Sequence, residues 1–422
     1  MAIRASLSRI KEEPLVISDH IDPMSTDVTR LLMEDQSRTV IFENLGGGKA
    51  IGNLFSTRDK IARYMGVKVK DITSLLMNAV SSPRPFEVVD RGEWMDNVED
   101  PDLISLPIPK YFPGDGGRYI TAGVIVAEYE GKRNVSFHRM MVIDRNRLAV
   151  RLVPRHLYTM HRAAIEKGEE LRVAICIGLC PCALLAAASS LDYAVDEFEV
   201  ASALRSLAMG EPMKLAKTPG GIFVPADCDI VMEGRLTAKE IDEGPFVDIT
   251  GTYDHVRRQP IIELEKIYHI NDPLFHLLLP GGNEHYLFMG MPREPVIFRT
   301  VRQVVPRTHA VRLTEGGCCW LHGVVSISKN KEGDGMNAIM AAFSGHPSMK
   351  QVIVVDEDVD IFDDRNVEWA VATRFQGSRI LLVPNAAGSS LDPSSEGTTF
   401  KVGIDATMPF GKEHLFRRAT LD

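Results

Sequence analysis

Ile120-Thr-Ala-Gly-Val-Ile-Val-Ala-Glu-Tyr129 and Val135-Ser-Phe-His-Arg-Met-Met-Val-Ile143 are the stretches whose reading decides the fold. Both are short and rich in Val, Ile and aromatic residues, which fit a pleated, half-buried surface. Leu148–Leu152, Val173–Ile177, Ile230–Leu236, Phe246–Tyr253 and Ile261–His269 repeat the pattern. A run of short strands of this kind predicts a barrel or a sandwich. One helix, over Val195–Ala208, interrupts it.

Outward from this block the character changes. Toward the N-terminus, Thr57–Met65 and Val69–Val80 space their apolar residues near the helical period, and Thr39-Val-Ile-Phe42 reads as a buried strand. The connector Leu106-Pro-Ile-Pro-Lys-Tyr-Phe-Pro-Gly-Asp-Gly-Gly117 excludes regular structure. Toward the C-terminus a helical pattern begins at Ala338–Phe343, followed by the apolar run Val352-Ile-Val-Val-Asp356. Val367–Arg374 reads as a helix and Arg379-Ile-Leu-Leu-Val383 as a second buried strand, so a βαβ unit is expected here.

A chain of 422 residues is too long for one ordinary core, and two or three domains are the natural expectation. Its 45% hydrophobic and 25% charged residues are those of a globular protein. A net charge of −9, with no dense run of Lys or Arg, argues against nucleic acid as a partner. The segment Met1-Ala-Ile-Arg-Ala-Ser-Leu-Ser-Arg-Ile-Lys11 lacks the apolar core of a signal peptide. Arg172–Leu191 comes nearest to a membrane span and is broken by Pro181, so no membrane contact and a cytoplasmic location are expected. The cysteines at 176, 180, 182, 228, 318 and 319 lack the spacing of a zinc knuckle and read as buried thiols.

Chemistry gathers at two places. Arg139 stands in an apolar strand, where an unpaired charge is costly, so a carboxylate partner is required. The turn Glu243-Gly-Pro-Phe-Val-Asp248 holds two carboxylates on a stiff bend leading into an expected strand, Ile249–Tyr253, and Glu243 can supply that partner. The pairing reads either as a buried ion pair or as the clamp of an active site. Carboxyl groups held close ionise at different pH, which lets one donate a proton while the other stays charged. Asn134, His156 and the acidic segment Asp196-Glu197-Phe-Glu199 offer an amide oxygen, an imidazole and carboxylates, a set suited to Mn²⁺ or Mg²⁺. By spacing alone His156, which follows Pro154, is more often a loop residue than a ligand.

Several segments, in this order, carry a resemblance. They are Leu106-Pro-Ile-Pro, Pro113-Gly-Asp-Gly-Gly-Arg-Tyr-Ile-Thr-Ala-Gly123, Asn134 to Arg139, and Glu197-Phe-Glu-Val-Ala201. Glu243-Gly-Pro-Phe246, Leu279-Pro-Gly-Gly-Asn-Glu-His285, Ile353–Asp363, Trp369–Arg374 and Lys401–Thr407 complete the series. The chain resembles, nearly end to end, the UbiD family of decarboxylases that use prenylated FMN. The resemblance implies an α/β (α+β) chain in three parts. These are an N-terminal α/β region over 1–110, a split β-barrel holding the flavin over 111–305, and a C-terminal α/β domain over 306–422.

It places Arg139, Glu243 and Asp248 in the catalytic network, and Asn134, His156 and Glu197 as ligands of a divalent ion that bridges to the cofactor phosphate. It adds Phe137, His138, Arg155 and Lys401 to the cofactor contacts, K⁺ to the candidate ions, and a homo-oligomer (dimer or hexamer) to the expected state. A flavin prenyltransferase would supply the cofactor. Val247 stands where glycine is common in the family pattern, and Asp248 is shorter by one methylene than the Glu of some members, which leaves the substrate open.

His285 and Arg293, in a Gly-rich segment, either bind a second anion on the substrate or brace the loop. Furan-2,5-dicarboxylate decarboxylases of the family look similar here, and that substrate leads. The archaeal anhydromevalonate phosphate decarboxylases are the alternative. A flavin reductase would need a Gly-x-Gly-x-x-Gly site after a strand, which is missing. A non-catalytic assembly subunit would be expected to lack one of Arg139, Glu243 or Asp248, all of which are present.

Overall fold

Two long strands, Ile230–Glu243 and Arg257–His269, form the spine of a nine-stranded antiparallel sheet in the computed structural model, which describes residues 2–419. The order across the sheet is Tyr119–Ile120, Met140–Val142, Arg147–Val150, Arg257–His269, Ile230–Glu243, Leu171–Ile177, Val124–Tyr129 and Lys132–Phe137, with Asn97–Glu99 paired onto Arg257–His269. Its ends do not meet, so the sheet is split rather than a closed barrel. Val124–Ala127 and Val173–Ile177 are buried on both faces, which is why these segments read as continuous apolar runs instead of alternating. Ile125, Ile175, Met232 and Ile262 belong to one core, each worth about 1.5–3 kcal/mol in burial.

Three expected strands are interrupted. Ile120–Tyr129 breaks at 121–123, and Val135–Ile143 breaks at His138–Arg139, where the chain leaves the edge strand Lys132–Phe137 for Met140–Val142, one strand in from the opposite edge. Ile249–Tyr253 is not a strand. Residues 249–252 form the turn of a hairpin between Phe246–Val247 and Tyr253–Asp254, closed by bonds from Gly251 N to Asp248 O (2.9 Å) and Asp248 N to Thr252 O (3.0 Å).

Between the strands of this sheet the sequence reading also missed two helices, His156–Glu166 and Pro181–Ala188. Pro181 at the first helical position favours the second of them. The expected helix near 195 is Glu197–Met209, capped by the Asp196 side chain on Phe198 N and ended by Gly210 in the left-handed region.

The chain divides into two units, Met1–Phe288 and Met289–Asp422. In the first, a further sheet joins Leu15–Ile17, Val40–Leu45 and Gly48–Gly52 to Phe275–Leu277. The second is built on a five-stranded sheet in the order Thr308–Leu313, His322–Ile327, Gln351–Asp356, Thr398–Asp405, Ile380–Ala387. The βαβ expectation needs correction here. Gln351–Asp356 runs parallel to His322–Ile327 and Thr398–Asp405, whereas Ile380–Ala387 is an antiparallel edge strand. Leu382 is 54% exposed, so this strand is not buried as its apolar composition suggested. Among the described residues no helix is long and apolar enough to cross a membrane.

Candidate active site

Glu243 is the last residue of a 14-residue strand and stands opposite Arg257 in its partner. The chain then turns at Gly244, whose φ of +105° suits glycine. The hairpin that follows brings back Asp248 and Asp254. The Pro-Gly-rich connector holds this turn in place. Gly116 N donates to Pro245 O (2.7 Å), Gly114 N to the Tyr253 hydroxyl (3.0 Å), and Val247 N to Asp115 Oδ1 (3.3 Å). Arg118 in turn clamps the connector by donating to the carbonyls of Ile104, Leu106 and Ile108.

A methyl group on Gly116 would lie 2.2 Å from the Gly244 carbonyl oxygen, a backbone atom with little room to yield. Gly116→Ala is therefore expected to push the Glu243 turn outward and lower turnover by about 10²-fold, the usual effect of a displacement near 1 Å in a site. Steady-state kinetics of the flavin-loaded variant would check this, and a kcat within threefold of the native value would refute it.

Arg139 sits at the centre of the turn's carboxylates. Its Nε donates to Glu243 Oε1 (2.9 Å), its Nη2 to Glu243 Oε2 (3.0 Å) and Asp254 Oδ2 (3.0 Å), and its Nη1 to Asp248 Oδ2 (3.1 Å). Glu243 is fully buried and also accepts from the Tyr119 hydroxyl (3.1 Å). Burial alone would lower the Arg139 pKa, but the Glu243 hydrogen bonds and charge outweigh it and hold the guanidinium firmly cationic. The Phe246 ring lies 4.8 Å below the guanidinium carbon and closes one face.

A guanidinium has five N–H bonds. These contacts use four of them, and the fifth is on Nη1, the nitrogen that also holds Asp248.

Asp254 escaped the sequence reading. Burial would raise its pKa, yet the Arg257 hydrogen bond (2.6 Å) and the Arg139 charge outweigh it and keep the carboxyl below its ordinary range. Arg151 lies 4.0 Å away, its own pKa lowered by burial and then by the charges of Arg257 and Arg139. Three guanidiniums and three carboxylates thus alternate around one point. An acid just past the end of an expected strand at Tyr253 carried no local signal of this.

His285 lies in the helix Asn283–Gly290. Burial lowers its pKa, Arg139 adds to the effect and Asp248 opposes it. Gly281 N donates to its Nδ1 (3.2 Å), so the neutral ring carries its proton on Nε2. Arg293 belongs to the second unit, where its guanidinium lies 5.4 Å from the Trp320 ring centre.

A second group of candidates starts from Asn134, five residues back along the chain and at most about 18 Å from Arg139. Asn134 and Glu197 are buried, and Glu197 Oε2 accepts from Val135 N (3.1 Å). Burial pushes the Glu197 carboxyl up to about 7. His156 opens its helix, with its ring 4.9 Å from that of Tyr193, and its pKa is lowered by burial and then by Arg155.

Among the described residues no three His, Cys, Asp or Glu side chains converge as a metal site. The candidate set relies instead on the amide oxygen of Asn134. An amide oxygen, an imidazole and a buried carboxylate short of positive charge fit a hard divalent cation. Phe137 packs its ring 6.0 Å from Phe288, and Arg155 donates to Ser190 Oγ (2.6 Å). Lys401 lies in the second unit and gives its ammonium to the carbonyls of Pro347 and Met349.

The first cluster can seat a carboxylate and return a proton, but no side chain in it can take up the electron pair left when a C–CO₂ bond breaks. The class it defines is a cofactor-dependent carboxy-lyase.

The chain belongs to the UbiD family. The model of the 3-octaprenyl-4-hydroxybenzoate carboxy-lyase Rift-related domain matches residues 87–283, and those of the N-terminal and C-terminal domains match 17–80 and 286–406. The anhydromevalonate phosphate decarboxylase of Methanothermobacter thermautotrophicus is 45% identical, with 99% of both chains aligned. That of Methanosarcina mazei is also 45% identical, over 100% of this chain and 99% of its own.

Among solved structures, the UbiD-class enzyme HmfF from Pelotomaculum thermopropionicum in complex with FMN has a TM-score of 0.94 at 36% identity, covering 99% of this chain and 97% of that one. An evolved dimeric form of HmfF in complex with prFMN gives 0.91 at 34%, covering 100% and 97%. The protein is a prenylated-FMN-dependent carboxy-lyase by this membership.

Proposed function

We propose that the chain removes CO₂ from anhydromevalonate phosphate. The observation that carries this reading is the end-to-end similarity, at 45% identity, to relatives of that name in two archaea. The sequence alone put furan-2,5-dicarboxylate first, and these relatives favour the phosphate-bearing acid instead.

In the reaction R–COO⁻ + H⁺ → R–H + CO₂ the site has distinct tasks. The remaining Nη1–H of Arg139 is the donor left for the substrate carboxylate. Glu243, buried and doubly bonded, holds the guanidinium in place and charged. Asp248 shares Nη1, so in its protonated form it stands beside the carbon that CO₂ leaves and returns a proton there. Such general acid work typically contributes about 10²–10⁴-fold. The bound prenylated flavin supplies the electron sink that no side chain provides. Asn134, His156 and Glu197 would hold a divalent cation, Mn²⁺ or Mg²⁺, which would supply positive charge to an anionic cofactor. A homo-oligomeric state and cofactor supply by a separate flavin prenyltransferase complete the proposal.

The test is a comparison of kcat/KM for three acids, using protein co-expressed with a flavin prenyltransferase. Anhydromevalonate 5-phosphate is expected to exceed both its unphosphorylated form and furan-2,5-dicarboxylate by at least about 10²-fold, the scale on which a site built for a polar group rejects ligands lacking it. A preference for the furan diacid would restore the other reading.

A further inference from the structure

His138, which the resemblance puts among the cofactor contacts, stands in the chain between Asn134 and Arg139. Its Nδ1 lies 3.0 Å from the Arg151 carbonyl oxygen and its Nε2 2.9 Å from Ser136 Oγ. Asn134 Nδ2 lies 2.8 Å from the same Ser136 oxygen. Three polar side chains in a row satisfy one another in either direction, so the direction must be fixed from outside.

The Arg151 carbonyl fixes it, because a carbonyl only accepts. Nδ1 therefore carries a proton. Burial pushes the imidazole pKa down to about 4, so at neutral pH the ring has no second proton and Nε2 accepts. Ser136 must then spend its single O–H on Nε2, leaving its oxygen only as an acceptor. Asn134 meets that acceptor with its NH₂, which turns its carbonyl oxygen to the opposite side.

We infer that His138 is a positioning residue for the metal centre, acting through Ser136 to present the oxygen of Asn134, and not its NH₂, to the divalent cation. The inference rests on the proposed role of Asn134 as a ligand. An amide presenting NH₂ would place a donor against the cation and bind nothing. Groups that orient metal ligands at one remove commonly contribute about 10–100-fold in metal affinity.

The test is an EPR titration of Mn²⁺ into FMN-loaded protein, which reads metal binding without turnover. Ser136→Ala and His138→Phe remove the acceptor and the anchor respectively, and each is expected to weaken Mn²⁺ by about 10-fold or more. His138→Gln keeps an amide oxygen within reach of the Ser136 O–H and should bind within threefold of native. A ring that merely fills space would instead be replaced better by Phe than by Gln.

Native protein that binds Mn²⁺, with Ser136→Ala and His138→Phe binding it equally well, would overturn the inference alone. Native protein that binds no Mn²⁺ would remove the ligand assignment and the inference together.

Discussion

Arg139→Ala is expected to abolish measurable decarboxylation and to destabilise the first unit at the same time. The guanidinium carries Glu243, Asp248 and Asp254, and Glu243 has no exposure to water through which to recover solvation. Removing one partner of a buried pair typically costs about 3–5 kcal/mol, because the other charge is left uncompensated. Arg139→Lys separates the two effects. An ammonium restores the charge but is a point donor, unable to span both oxygens of Glu243 while reaching Asp248 and Asp254. Much of the stability should return, while kcat stays about 10³-fold down, equivalent to about 4 kcal/mol of barrier. Chemical denaturation and kinetics on the same samples would check both halves. A lysine variant with near-native kcat would show that charge alone suffices and that the hydrogen-bonded geometry does not matter.

Asp254→Ala is expected to lower kcat by about 10²-fold while the flavin remains bound. Glu243 alone already neutralises Arg139, so charge balance does not call for a second permanent carboxylate. What Asp254 adds is orientation. It takes the second N–H of Nη2 and joins Arg139 to Arg257. With that edge filled, the guanidinium has one free N–H, on the side of Asp248. Without Asp254 the plane can tilt and a second N–H competes for the substrate carboxylate, while Arg151 and Arg257 lose their shared counter-charge. Asp254→Asn should be no better, since its NH₂ would face a guanidinium donor. A kcat within threefold of native, at equal flavin content, would reduce Asp254 to an ion-pair partner without effect on the chemistry.

The two partners of greatest consequence were legible because each demanded something. An arginine in an apolar strand requires a carboxylate, and Glu243 on a stiff Gly-Pro bend was the evident source. Asp254 was not legible. It met Arg139 only because residues 249–252 turn where β-branched residues had suggested a strand, and the contact spans 115 positions.

The role of Pro113–Gly117 was hidden for a similar reason. Proline and glycine announce a loop but not the turn it will brace. The strand Ile380–Ala387 failed differently. Its apolar composition suggested a centre, but strand order is settled by pairing across the sheet, and Thr398–Asp405 took the inner place. The helix beginning at His156 was missed because a preceding proline reads equally well as a loop or as a helix approach.

The most direct test of the central claim is CO₂ release under nitrogen from anhydromevalonate 5-phosphate, using native protein co-expressed with a flavin prenyltransferase and shown by mass to hold prenylated FMN. The account predicts one CO₂ and one phosphorylated alkene per substrate consumed, and no release from the Arg139→Ala protein. Loaded native protein that leaves the substrate intact, or an Arg139→Ala protein that still releases CO₂, would contradict it.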